Sequence, residues 1–69
     1  MEENKHEEIM KICLEAIGTN AEEWNCANAE TAIYEMCHED YDGDFPALFQ
    51  HALEVMTIEQ FNRIKKLDE

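Results

Sequence analysis

An acidic run in the middle of the chain places oxygen atoms where a cation could bind. The run HEDYDGD covers residues 38–44. A helix-flanked calcium loop needs oxygen ligands at positions 1, 3 and 5, Gly at position 6 and a bidentate acid at position 12. Setting Gly43 at position 6 puts His38 at position 1 and Phe49 at position 12. The pattern therefore favours a solvated acidic turn that caps the next helix, with a weak, non-specific cation site as the alternative. No metal site and no cofactor is predicted.

The thiols are the next groups that could do chemistry. Cys37 lies beside His38, with Cys26 and His51 further away, but this spacing is not one that recurs in zinc sites. A reactive cysteine needs positive charge nearby to lower its pKa, and the neighbours of Cys37 are acids. Cys13 completes an odd set of three cysteines. We expect free thiols in the core of a protein that works in the reducing cytoplasm.

Pairs of carboxylates, such as Glu22 with Glu23 and Glu35 with Glu39, could in principle form an acid/base dyad. Such a dyad needs a concave site that pulls two pKa values apart, and a chain this short has little room for one. The sequence contains no Gly-rich phosphate loop, no nucleophile elbow and no Ser/His/Asp order. A non-enzymatic protein is therefore predicted.

Helix-capping signals divide the chain into short segments. Three pairs of residues have capping-box spacing: Asn4 with Glu7, Asn20 with Glu23, and Thr57 with Gln60. The first helix is predicted from about Lys5 to Ile17 and should end at Gly18. Asp44 is a plausible N-cap for a later helix, with Pro46 in its first turn.

The second helix has two alternative readings. It runs unbroken from Ala21 to Glu39, or Asn28 caps a fresh start at Ala29. In the continuous form a second apolar stripe, which includes Tyr34, would put this helix at the centre of a small bundle. The joint at Met56 is likewise either a break or a kink. The fold class predicted for residues 1–69 is a single all-α domain, a small bundle of three to four short helices.

The charge is distributed unevenly along the chain. The formal net charge is −12, and residues 12–62 hold eleven carboxylates and no Lys or Arg. Repulsion argues against nucleic acid or an anionic membrane as a direct ligand, and no apolar run approaches the ~20 residues of a membrane span. The complementary partner is a basic protein surface.

Two functions are expected, from different classes. The first is an inhibitor or nucleic-acid mimic that occupies the basic surface of a nucleic-acid-binding protein. Small acidic helical proteins of phages and mobile elements act in this way against CRISPR and restriction nucleases, an analogy of size and charge only. The predicted partner-binding residues are Glu22, Glu23, Glu30, Glu35, Glu39, Asp40, Tyr41, Asp42 and Asp44. The second function is a regulatory or structural adaptor that works through apolar helix faces, as a homodimer.

Overall fold

In the computed structural model, which describes residues 3–67, the chain folds into short helices joined by tight turns. The helices are α1 (Glu3–Ile17), α2 (Ala29–Asp40), α3 (Phe45–Val55) and α4 (Ile58–Leu67), with a single 3₁₀ turn at Glu22–Trp24. Those residues contain no β-strand. The predicted all-α bundle is thereby confirmed. The two ends of the predicted 1–69 domain lie outside the described residues.

Helix α1 is the centre of the bundle. It packs against α2, α3 and α4, and α2 and α3 each pack more extensively against α1 than against each other. The expectation that the second helix would be central is wrong, because it depended on a continuous helix. The core joins buried side chains of α1, α2 and α3: Met10, Cys13, Leu14, Ala29, Ala32, Ile33, Met36, Cys37, Leu48 and Ala52.

Glycine ends α1 as the sequence predicts. Gly18 has φ = +106°, a backbone conformation that residues with a Cβ rarely adopt. The backbone N–H groups of Gly18 and Thr19 both donate to the Leu14 carbonyl, at 2.9 Å each. These bonds satisfy a carbonyl that the helix leaves free at its end. The predicted cap at Asn4 is wrong, because α1 already begins at Glu3.

Glu7, the second member of that predicted cap, instead caps a different helix. Its carboxylate accepts hydrogen bonds from the backbone N–H of Ala29, at 2.5 Å, and of Glu30, at 3.3 Å. The Asn28 side chain accepts from the N–H of Thr31 at 2.8 Å. Together they satisfy donors that the first turn of α2 leaves free, and the negative carboxylate faces the positive end of the helix dipole. The predicted fresh start at Ala29 is confirmed, and a side chain of α1 fixes where α2 begins.

Glu7→Gln is expected to lower the free energy of unfolding by about 1–2 kcal/mol, because it removes the charge from both hydrogen bonds. Urea denaturation followed by circular dichroism measures the loss. The control is Glu54→Gln, which removes the same charge from an exposed position in the last turn of α3. Equal stability of the two variants would contradict the capping role of Glu7.

The second predicted helix is interrupted near its start. Asn20 accepts a hydrogen bond from the Glu23 N–H at 2.9 Å, so this capping signal is confirmed, but it starts only one 3₁₀ turn. Asn25 has φ = +56° and ends that turn in the left-handed conformation. The continuous helix is therefore wrong, and Tyr34 lies on an exposed side of α2 rather than in a second buried stripe.

Helices α3 and α4 are separate helices. Asp44 caps α3 by accepting from the Ala47 N–H at 3.2 Å. Thr57 and Gln60 form the predicted capping box, with bonds of 3.0 and 3.1 Å in the two directions. Met56 between the helices is extended, with ψ = 141°. The Met56 joint is thus a break and not a kink.

Helix α4 rests on the side of α1 through polar contacts. Arg63 donates to the Glu15 carboxylate at 3.0 Å, and the Gln60 side chain donates to the same oxygen at 3.3 Å. None of the side chains of α4 is buried. Exposed ion pairs of this kind contribute at most about 1 kcal/mol, so α4 is the most weakly held helix of the bundle.

Candidate functional site

The candidate site is the acidic face, which we define as six carboxylates along α2 and the turn into α3: Glu30, Glu35, Glu39, Asp40, Asp42 and Asp44. Glu30 is half-buried and the others are exposed. Glu35 and Glu39 are one helical turn apart, on the side of α2 that points away from the core. The structure therefore brings these six predicted residues to adjoining parts of the surface, held by one helix and one turn.

Two left-handed residues shape the turn into α3. Asp42 has φ = +58° and Gly43 has φ = +79°. The Gly43 N–H donates to the Cys37 carbonyl and the Asp44 N–H to the Tyr41 carbonyl, each at 2.9 Å. A Cβ on Gly43 would meet no atom within 4 Å, so the backbone conformation and not space requires glycine there. The turn holds its carboxylates in a fixed order around the end of α2.

An exposed aromatic pair lies beside the acidic face. The rings of Tyr34 on α2 and Phe45 at the start of α3 meet edge to face, with centroids 5.1 Å apart. On one side of the pair is a hollow of about 380 Å³, whose lining includes Glu35, Glu39 and Gly43. On the other side is a hollow of about 240 Å³, lined by both rings together with Glu30, His6, Met10, Ile33 and Phe49. We call the two hollows and the ring pair the aromatic groove.

Glu22 and Glu23 lie apart from this groove. Both are exposed on the 3₁₀ turn, and Glu23 accepts a hydrogen bond from the Thr19 hydroxyl at 2.7 Å. Glu22 borders a different hollow, which also contains the basic side chain of Lys11. The structure thus separates these two predicted residues from the acidic face and places a lysine near one of them.

Tyr41 is tied to α3. Its side chain is half-buried against the core, and its hydroxyl lies 2.6 Å from Nδ1 of His51. Burial raises the pKa of the Tyr41 phenol, and the negative charges of Asp40 and Cys37 raise it further. The phenol therefore stays protonated and engaged. Tyr34, which is 55% exposed, is the freer aromatic side chain near the carboxylates.

Sequence reasoning missed Tyr34 as a site residue, because the continuous-helix reading put it in a buried stripe. A usable signal was present. Tyr34 is four residues after Glu30 and four before His38, so it shares a side of α2 with two polar residues. Phe45 was expected only as part of the apolar stripe of α3, and it is half-buried with its ring against Tyr34.

The thiols are not placed to act as nucleophiles. Cys13 and Cys37 are buried, Cys26 is half-buried, and all three are free. Burial raises the pKa of each thiol; Asp44 raises that of Cys37 further and Glu35 that of Cys26, while a hydrogen bond from the Gly43 backbone partly offsets the effect at Cys37. Since the thiolate is the nucleophilic form, these cysteines serve packing.

Stability is expected to fall at alkaline pH for the same reason. The pKa of each thiol in the folded chain is above its usual value of 9.0, so the stabilisation is fully present below about pH 9 and is lost as pH rises through the raised pKa. Urea midpoints measured between about pH 7 and 10.5 test this. The Cys13→Ala, Cys37→Ala variant should show a shallower decline, and an equal decline would assign the effect to other groups.

Other kinds of site were searched for in the described part of the chain. Within residues 3–67 no three His, Cys, Asp or Glu side chains are grouped so that they could hold a metal ion. None of the helices described combines the length and the apolar character needed to cross a membrane. Neither a protein-family model, nor a curated protein, nor a solved structure matches this chain. What supports a function is therefore the charge and shape of the surface itself.

Proposed function

We propose that this protein is a non-enzymatic binding protein whose acidic face occupies the basic surface of a nucleic-acid-binding protein in the cytoplasm. It would act there as an inhibitor or nucleic-acid mimic, as anti-CRISPR and anti-restriction proteins of phages and mobile elements do. The observation that carries the proposal is the row of exposed carboxylates from Glu35 to Asp44, within a stretch of the chain that contains no Lys or Arg.

The spacing and the surroundings of these carboxylates support mimicry. Carboxylates on successive turns of a helix are about 5.4 Å apart along its axis, so they form a line of negative charge as a phosphate backbone does. The lysine and arginine side chains in the described part of the chain lie on α1 and α4, and Arg63 is already paired with Glu15. Only histidine provides a cation within α2, so the face stays strongly negative above about pH 7.

The proposal is tested by affinity capture from host lysate at about 50 mM and about 500 mM salt. Recovery of a nucleic-acid-binding protein at low salt, and its loss at high salt, is the expected result, because the contacts are between exposed charges. Recovery that withstands high salt, of a partner without a basic surface, would contradict the proposal.

An exposed apolar patch favours a second candidate function, an adaptor that forms a homodimer. The patch lies where α3 meets α4 and consists of Leu53, Val55, Ile58 and Phe61, which are 53%, 45%, 80% and 46% exposed. Contiguous exposed apolar side chains often mark an interface. A second copy that covered them would also stabilise α4, which its own chain holds weakly.

Sedimentation velocity at increasing protein concentration tests the adaptor. A dimer is expected for the natural sequence, and Ile58→Lys should be monomeric, because a lysine at this 80% exposed position disrupts an interface but not the fold. A monomer at high concentration for the natural sequence would exclude the homodimer and leave the acidic face as the candidate.

A further inference from the structure

The aromatic groove is built differently on its two sides. Helices α2 and α3 pack mainly on α1, which leaves a gap between them that the rings of Tyr34 and Phe45 divide. Tyr34 keeps 55% of its surface exposed although it is a large aromatic side chain. An exposed tyrosine in a concave surface is typical of an interface anchor.

The larger hollow has the features that recognise an arginine. Glu35 and Glu39 supply two carboxylates one turn apart, and Tyr34 and Phe45 supply aromatic surface beside them. A guanidinium is planar, so it can stack on a ring and at the same time donate paired hydrogen bonds to a carboxylate. A lysine ammonium satisfies the carboxylates but lacks the flat surface for stacking. The volume of about 380 Å³ leaves room for such a side chain.

The smaller hollow has the features that recognise an apolar side chain. Its lining includes Met10, Ile33 and Phe49, and its volume is about 240 Å³. The carboxylate at its edge, Glu30, already has a cationic neighbour, since Nε2 of His6 lies 3.9 Å away. An aliphatic side chain placed here would bury apolar surface without leaving a charge unpaired.

We propose that the aromatic groove seats an arginine of the partner's basic surface in the larger hollow and a neighbouring apolar side chain of the same partner in the smaller one. This inference rests on the proposed function and names the contact that gives it specificity. Charge complementarity selects a basic protein segment as the occupant. The chain's own α4 is less suited, because Arg63 is bonded to Glu15 and Lys65 lies over the Phe61 ring at 5.9 Å.

The test is a titration of the ¹⁵N-labelled protein at low salt with three capped hexapeptides, in which leucine alternates with arginine, with lysine or with uncharged citrulline. The arginine peptide should shift the amide resonances of Tyr34, Gly43 and Phe45 most and should bind more tightly than the lysine peptide. Tyr34→Ala should weaken the arginine peptide about fivefold and the lysine peptide much less, and Tyr34→Phe should restore stacking. Leu53→Ala, also at an exposed position, is the matched control and should change neither affinity.

The outcomes separate this inference from the proposed function. If both cationic peptides bind and Tyr34→Ala changes neither affinity, the groove is not the seat, while binding of cations by the acidic face stands. If the citrulline peptide binds as tightly as the arginine peptide, or if resonances of α4 shift with protein concentration alone, the occupant is an apolar ligand or a second copy, and the inference is overturned. If neither cationic peptide binds, the proposed function fails as well.

Discussion

Replacement of Glu35, Glu39 and Asp40 by lysine, together with Asp42→Asn, is expected to abolish binding of the basic partner. The four side chains are exposed along the end of α2 and the following turn, where the proposal places the contact. Each substituted lysine turns an attraction into a repulsion at short range. A loss of about 100-fold or more in affinity is expected, which corresponds to about 2.7 kcal/mol.

The variant should keep its fold, so the loss can be assigned to the surface. Glu39 and Asp40 lie in the last turn of α2, where their charges oppose the helix dipole, and lysine there is favourable. Asparagine is chosen at position 42 because φ is +58° and asparagine tolerates that conformation better than lysine. Unchanged affinity with a native circular dichroism spectrum would contradict the proposed binding surface.

A matched pair of variants separates local contact from overall charge. Glu35→Lys with Glu39→Lys changes the net charge by the same amount as Glu54→Lys with Glu59→Lys, and all four positions are exposed. Only the first pair lies on the acidic face. The first pair should therefore lower the affinity about tenfold more than the second at about 150 mM salt, where screening weakens distant charges. Equal losses would indicate steering by net charge without a defined face.

Leu48→Ala is expected to cause the largest loss of stability. Leu48 lies on α3, is 0% exposed and belongs to the core cluster. Truncation of a buried leucine costs about 2–5 kcal/mol, because apolar contacts are lost and a cavity remains. Domains of this length have about 3–10 kcal/mol of total stability, so the variant should be partly unfolded at room temperature.

The neighbouring Leu53 provides the control, since it lies on the same helix and is 53% exposed. Leu53→Ala makes the same chemical change with no buried cavity, and it should cost less than about 1 kcal/mol. Guanidinium denaturation of both variants measures the difference. Similar losses at the two positions would show that α3 is not seated on the core through Leu48.

Local signals carried most of the fold. Gly18, Asp44 and the Thr57 with Gln60 pair each mark a helix end with groups that are adjacent in the sequence, and each of them acts as predicted. The pattern failed where the partner of a group lies far along the chain. Glu7 was assigned to the cap of its own helix, whereas its carboxylate binds the backbone of Ala29, a residue 22 positions away.

The candidate site was predictable in composition but not in shape. The carboxylates from Glu30 to Asp44 follow from the sequence, since surface acids need no tertiary contact to be exposed. The separation of Glu22 from the others depends on the left-handed conformation at Asn25, which ends the 3₁₀ turn. The aromatic groove was not predictable, because it exists only when α2 and α3 both pack on α1 and leave a gap between them.

The most direct test of mimicry is competition with nucleic acid for the captured partner. Fluorescently labelled nucleic acid bound to the purified partner is titrated with this protein, and the anisotropy of the label is followed. Displacement of the nucleic acid, with an affinity that falls steeply as salt rises, is the predicted result. Formation of a ternary complex, in which the nucleic acid stays bound while this protein also binds, would contradict the claim that its acidic face occupies the nucleic-acid surface.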